Sequence, residues 1–312
     1  MIAVHAARAI NGAATRRGAA IRRFRNRSLP YAFIAPIGVL LLAVSVYPVL
    51  YAVWIGLSDA TLLQLARARF IGLGNLLRMA QDDVFLQGLW RTARWDAAVV
   101  LSELAIALPI ALFLNLKFRG RGVVRAAVLL PYIIPPAVTA LLWVYMVDGH
   151  FGVINDLLVR LHVLAHPVSW LGEPGGSFAV VTAAMVWAGQ PLMAIILLAV
   201  MQAIPRELYE AAKVDGASTW QVFRLITLPH LMPTILFLLL LRTIWMSNYV
   251  DMIYIMTQGG PGFSNYTESV YSFMLIQQFD IGYASAVAVV LAIILMLGSI
   301  FYVRHLVRSV LA

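Results

Sequence analysis

The chain has 312 residues, of which 62% are hydrophobic and 12% charged, against about 45–50% and about 25% in ordinary soluble domains. So little charge excludes a water-soluble globule, which would leave large apolar patches exposed. The absence of cysteine excludes disulfide scaffolds, thiolate metal sites and cysteine nucleophiles. A net charge of +9 raises nucleic acid as a partner, but the placement of the cations argues against it. Arg8, Arg16, Arg17, Arg22, Arg23, Arg25 and Arg27 all precede the first apolar run, where a bacterial membrane protein keeps its cytoplasmic anchor. No nucleic-acid partner is expected.

Taken in chain order, six stretches are long and apolar enough to cross a bilayer core, which needs about 20 helical residues. They are Tyr31 to Leu57, Trp95 to Leu114, Ala126 to Val147, Phe178 to Met201, Met232 to Met256 and Ile281 to Val303. The first is too long for the h-region of a cleaved signal peptide, about 7–15 residues, and is expected to remain as a span. None shows the alternation of barrel strands, so the predicted fold is all-α, a polytopic bundle of six transmembrane helices. Pro131, Pro135 and Pro136 predict a kink in the third. Residues 1–29 form a basic arm and 30–312 one membrane domain. Sixteen of the 23 Lys and Arg fall in the segments that share a side with the termini and six in the alternate loops, which places both termini in the cytoplasm. The outer loops, 58–94, 148–177 and 257–280, are long enough for short helices or docking surfaces.

The segment 203–231, between the fourth and fifth spans, reads as two short helices joined by a turn. Pro205 suits a first helical position, Glu207 and Glu210 lie toward the positive end of the helix dipole, and Gly216 suits a left-handed stop. Ser218 with Gln221 is a capping-box pattern that opens the second helix, and Pro229 is expected to end it. Leu208, Ala211, Ala212 and Asp215 share one face of the first helix. From the residues alone the pair is either a headgroup-level linker or a device that inserts into a partner.

Glu210-Ala-Ala, then Asp215-Gly-Ala, then Phe223, Ile226, Leu228-Pro229 and Pro233 resemble the EAA signature of binding-protein-dependent ABC importer permeases. Ile71-Gly-Leu-Gly-Asn75, Phe118-Arg-Gly-Arg-Gly122 with Arg125, Leu130-Pro-Tyr-Ile-Ile-Pro-Pro136, Phe151-Gly-Val-Ile-Asn155, Asp251 with Thr257-Gln-Gly-Gly-Pro261, and Phe279-Asp-Ile-Gly-Tyr283 resemble its MalF-type branch. The resemblance covers residues 31–308, and Trp95-Asp96 at the head of the second span departs from it. It implies a type I importer permease fold and one half of a translocation pathway for a sugar, oligosaccharide, polyol or glycerol phosphate. It also implies a second permease subunit, two ATPase subunits that bind ATP and Mg, and an extracytoplasmic solute-binding protein. Glu207, Glu210, Ala211, Ala212, Asp215 and Gly216 would then make the coupling contact. The chain contains no Gly-x4-Gly-Lys-Ser/Thr, so the ATPase site is expected on another subunit, and this chain is expected to be no enzyme and to bind no cofactor or metal.

Charges inside spans are functional candidates. At about 1.5 Å per residue, Glu103 lies about 12 Å below the outer edge and Arg242 about 15 Å above the inner one, nearly level in a core of about 30 Å. A structural Glu103–Arg242 pair is therefore expected. Trp245, Asn248, Tyr249 and Asp251 on the fifth span, with Gln190 on the fourth, offer the aromatic faces and polar groups that a sugar pathway needs. The rival reading from another class is an ion-coupled secondary transporter with Asp96, Glu103 and Asp251 as a proton relay. A membrane-embedded enzyme is a third, weakened by the scatter of the six histidines. Gly259-Gly-Pro-Gly262 is either a contact for the binding protein or a plain tight turn.

Overall fold

The computed structural model describes residues 33–304, so the basic arm at 1–29 and the C-terminal Arg308 lie outside the described residues. The chain divides into two compact units after Trp54. The first is carried by helix α1 (Phe33–Gly56), which contains a wider π turn at Leu42–Val46. Tyr47, Tyr51 and Trp54 stack along one face of it, with successive ring centroids 6.0 Å apart.

The second unit holds α2 (Gly74–Met79), α3 (Asp83–Asn115), α4 (Arg121–Ile133), α5 (Pro136–Met146), α6 (Val153–Arg160) and α7 (Pro174–Ala203). It continues with α8 (Arg206–Val214), α9 (Thr219–Ser247), α10 (Asp251–Thr257), α11 (Glu268–Gln277) and α12 (Ile281–Tyr302). Five helices, α1, α3, α7, α9 and α12, are long and apolar enough to cross a membrane, and α4 with α5, bent by 94° at the break between them, is long and apolar enough as a pair to be a sixth. No strand occurs among the described residues. The fold is thus all-α and polytopic.

The axis of the unit is the packing of α3 along α7. Ala107, Ala111, Ala184 and Ala194 are fully buried there, and such small residues let two backbones approach where apolar burial drives no association. Trp95, Val99, Val181 and Met246 anchor one buried cluster toward the start of α3, and Leu114, Met193, Leu197 and Leu231 another toward its end.

Three span boundaries differ from the sequence expectation. Helix α3 begins at Asp83 rather than Trp95, because Asp82 caps it by accepting from Val84 N at 2.9 Å and Phe85 N at 3.3 Å. At 33 residues it is about 50 Å long and overhangs the core. Helix α9 begins at Thr219 rather than Met232 and passes through Pro229, where a stop was expected. The π turn Phe223–Thr227, closed by Leu228 N donating to Phe223 O, lies just before that proline, and such local widening lets a membrane helix accommodate it. The same helix ends at Ser247 rather than Met256, and after the break Asp251 opens the short helix α10. Within the apolar run Met252 to Met256, Met252, Ile253 and Met256 are buried, and the helix packs on α5 and α7 instead of extending the span. In the third span the expected kink is a full break, with Ile134 and Pro135 extended between α4 and α5.

Buried asparagines stitch the loops at the end of the bundle opposite α8. Asn75 Nδ2 donates to Gly56 O at 2.8 Å and Ser58 O at 2.9 Å. Asn155, 2% exposed, donates to Asp148 O and Val168 O and accepts from Val168 N at 3.1 Å and Trp170 Nε1 at 3.0 Å. Asn265 Nδ2 donates to Ser177 Oγ at 2.6 Å and Gly260 O at 2.7 Å. The Gly259–Gly262 segment is thereby fixed as a tight turn, and the ring of Tyr266 fills the place where a side chain at Gly259 would go.

Candidate functional site

Helix α8 has no buried residue. Its end is set by backbone chemistry. Gly216 N donates to Lys213 O at 3.2 Å and Ala217 N to Ala212 O at 2.9 Å, the bond pair that closes a helix through a left-handed residue. Gly216 supplies that conformation with φ +74°; open space surrounds it, so the backbone alone requires glycine. The next helix opens on a complete capping box, with Ser218 N donating to Gln221 Oε1 at 2.7 Å and Gln221 N to Ser218 Oγ at 3.3 Å. Tyr209 Oη meets Thr227 Oγ1 at 3.2 Å and ties α8 to the base of α9. Glu207, Glu210, Ala211, Asp215 and Gly216 are exposed on this hairpin and Ala212 half-buried. Leu208, Val214, Trp220 and Leu225 expose large apolar surface beside them.

Inside the bundle, Arg242 Nε of α9 donates to Glu103 Oε2 of α3 at 2.7 Å, and Nη2 bonds Oε1 in a two-pronged pair. Gly189 of α7 lies against it: a Cβ there would overlap both the carboxylate and the guanidinium. About two turns along α3 toward the end opposite α8, Ser247 Oγ donates to Asp96 Oδ2, while Asp96 Oδ1 has no partner. Trp95 Nε1 donates to Met246 O at 3.3 Å.

The pathway candidates have separate surroundings. Gln190 is buried with Oε1 unpartnered. Trp245 is partly exposed, with the Arg242 guanidinium 5.8 Å from its ring centroid. Asn248 donates to Ile244 O at 2.8 Å and so closes α9. It also lines a cleft of about 250 Å³ with Ser269 and Ser272. Tyr249 packs on the cluster around Trp95, where burial pushes its hydroxyl up to about 12, aided by Asp251. Asp251 is exposed and stands outside the candidate spans.

The sequence reading passed over one cluster at the end opposite α8. Asp82 accepts from Tyr271 Oη at 2.5 Å and Tyr283 Oη at 2.6 Å, and Arg78, paired with Asp280 at 2.6 Å, lies 3.9 Å above the Tyr283 ring. Burial pushes the Asp82 carboxyl up, but the bonds from the tyrosines and the α3 backbone outweigh it and hold Asp82 below the usual range. Beside it Glu268 is fully buried with neither oxygen bonded, and burial, then Asp82, raises its carboxyl to about 8. Sequence spacing carried no sign of this cluster, which unites α3, α11 and α12.

An all-helical bundle with a broken third span and an exposed capped hairpin before the fifth is the architecture of a membrane transport subunit. The chain belongs to the family of binding-protein-dependent transport system inner membrane components, whose model matches residues 104–311. It is 36% identical over 283 residues to the trehalose/maltose transport system permease protein MalF of Thermococcus litoralis, covering 90% of this chain and 95% of that one. It is 35% identical over 280 residues to the sulfoquinovosyl glycerol transport system permease protein SmoG of Agrobacterium fabrum, covering 89% and 90%. Its fold matches a chain of a bacterial alginate ABC transporter crystallised with an alginate pentasaccharide-bound periplasmic protein, with TM-score 0.79, 23% identity and coverage of 92% and 97%. The chain is thus an ABC importer permease, a multi-pass transport subunit of the inner membrane.

Proposed function

We propose that this chain forms half of the translocation pathway of an ATP-driven carbohydrate importer, and that the α8–α9 hairpin couples it to a separate ATPase. The observation that carries the coupling reading is the hairpin itself. Val214 and Trp220 are 87% and 65% exposed on it, beside two glutamates and a turn held rigid from both sides, so it offers a preformed surface to a partner. Glu210 meets polar or cationic groups of the ATPase groove, and Gly216 keeps the turn sharp. ATP and Mg bind to the two ATPase subunits, and a second permease and an extracytoplasmic binding protein complete the assembly. The cation count supports a cytoplasmic side for both termini and the hairpin. The names of the relatives support a sugar or sugar derivative as solute.

The proton-relay alternative loses two of its three members, since Glu103 is committed to Arg242 and Asp251 lies outside the candidate spans, and a lone Asp96 makes no relay. Uptake in whole cells tests the choice. ATP depletion is expected to abolish uptake and a protonophore at constant ATP to leave it; the reverse pattern contradicts the proposal.

A further inference from the structure

A cleft of about 460 Å³ opens between the start of α3 and the start of α7, at the end opposite α8, within the about 300–1,000 Å³ of small-molecule sites. Gln87, Trp90, Arg91 and Arg94 fall at positions i, i+3, i+4 and i+7 on one face of α3 and form one wall, and Phe178 and Ser264 face them. Both guanidiniums are held in place. Arg94 lies over the Phe178 ring, 4.0 Å from its centroid, and donates to Ser264 O at 3.0 Å. Arg91 Nη2 donates to Gln87 Oε1 at 2.6 Å.

The lining of the cleft holds two cations and no acidic residue. Neither arginine is in a salt bridge among the described residues, and Arg91 Nη1 and Ser264 Oγ are out of solvent with no hydrogen-bond partner. Unpaired buried donors are costly, and like charges three residues apart on a helix repel. Glu268 acts on Arg91 only through space, and its raised carboxyl supplies little counter-charge at neutral pH. An oxyanion completes such a site, since a guanidinium fork matches planar carboxylate oxygens. Trp90, 70% exposed, adds a broad ring face beside it.

We propose that this cleft binds an acidic saccharide, with a uronate carboxylate on Arg91 and Arg94 and the sugar ring against Trp90. The proposal rests on the importer reading for the side that meets solute, and deepens it by naming the solute class. The test is calorimetric titration of the full chain in lipid nanodiscs, without ATP, using digalacturonate and the neutral disaccharide galactobiose. Saturable digalacturonate binding is expected, at least tenfold tighter than galactobiose and weakened tenfold or more by Arg91→Gln and by Arg94→Gln at unchanged melting temperature. Equal binding of galactobiose, unchanged binding by the folded variants, or displacement by equimolar acetate or inorganic phosphate, the mark of a bare anion site, would overturn it. Should a variant fail to fold, the acidic-against-neutral comparison on the natural chain decides. The titration needs neither ATP nor partners, so its failure leaves the importer reading standing. Binding without ATP-driven uptake counts against the importer reading alone.

Discussion

Arg242 of α9 and Glu103 of α3 form a bidentate ion pair with side chains 7% and 0% exposed, seated on the backbone of Gly189 in α7. Three spans meet at this point, and the charges, hydrogen bonds and missing Cβ that let them meet are each open to substitution.

Removing one partner strands the other in a medium that cannot solvate it, at a cost of about 3–5 kcal/mol. Glu103→Leu and Arg242→Leu are each expected to lower the melting temperature in detergent sharply, and the double substitution Glu103→Leu with Arg242→Leu to lower it less than either. A double-mutant cycle on thermal unfolding checks this; additive losses would show that the charges do not act as a pair.

Gly189→Ala tests the same contact from the third helix. The added methyl overlaps the carboxylate and guanidinium, and overpacking of this kind costs about 1–3 kcal/mol. Gln190→Ala, one residue on, removes an amide whose Oε1 has no partner and is expected to cost less. Melting temperatures of the two variants in one detergent give the comparison.

Glu268 gives the fold a pH dependence of defined sign. Its carboxyl is raised from 4.5 to about 8 by burial and then by Asp82, so between these values the native state holds a proton that the unfolded state has released. Its contribution to stability is full below about 4.5, declines as pH rises and is lost above about 8. Glu268→Gln is expected to flatten the fall in melting temperature between pH 5 and 9. Asp82, held low, acts in the opposite sense and only in acid.

In the hairpin, Gly216→Asp forces a side chain into φ +74°, at a cost of about 1–2 kcal/mol, with no atom in its way. The variant is expected to fold and insert yet lose ATP-driven uptake, and Glu210→Ala to do the same. Uptake assays on membranes with matched protein levels check both; normal uptake by the pair would separate the hairpin from coupling.

What could be read in the sequence was local or periodic. The Ser218–Gln221 box and the Gly216 stop depend on residues within one turn, and the level depths of Glu103 and Arg242 follow from the fixed rise of a helix. Long-range packing was hidden. Hydropathy cannot tell a run buried in protein from one bathed in lipid, so Met252 to Met256 read as the end of a span although it lies against α5 and α7. Pro229 reads as a stop by local rules, whereas the π turn before it carries the helix through. The Asp82–Tyr271–Tyr283 cluster joins residues about 200 positions apart, and no spacing rule reaches that far.

The most direct test of the central claim, a permease coupled through its hairpin to a separate ATPase, is to express the chain with its genomic neighbours. It is then purified in gentle detergent, and the recovered complex weighed by mass spectrometry. The account expects a P-loop ATPase and a second six-span permease in comparable amounts, with the ATPase lost when Trp220 and Leu225 are replaced by glutamate. Recovery of the chain alone or as a homodimer, with no ATPase, would contradict it.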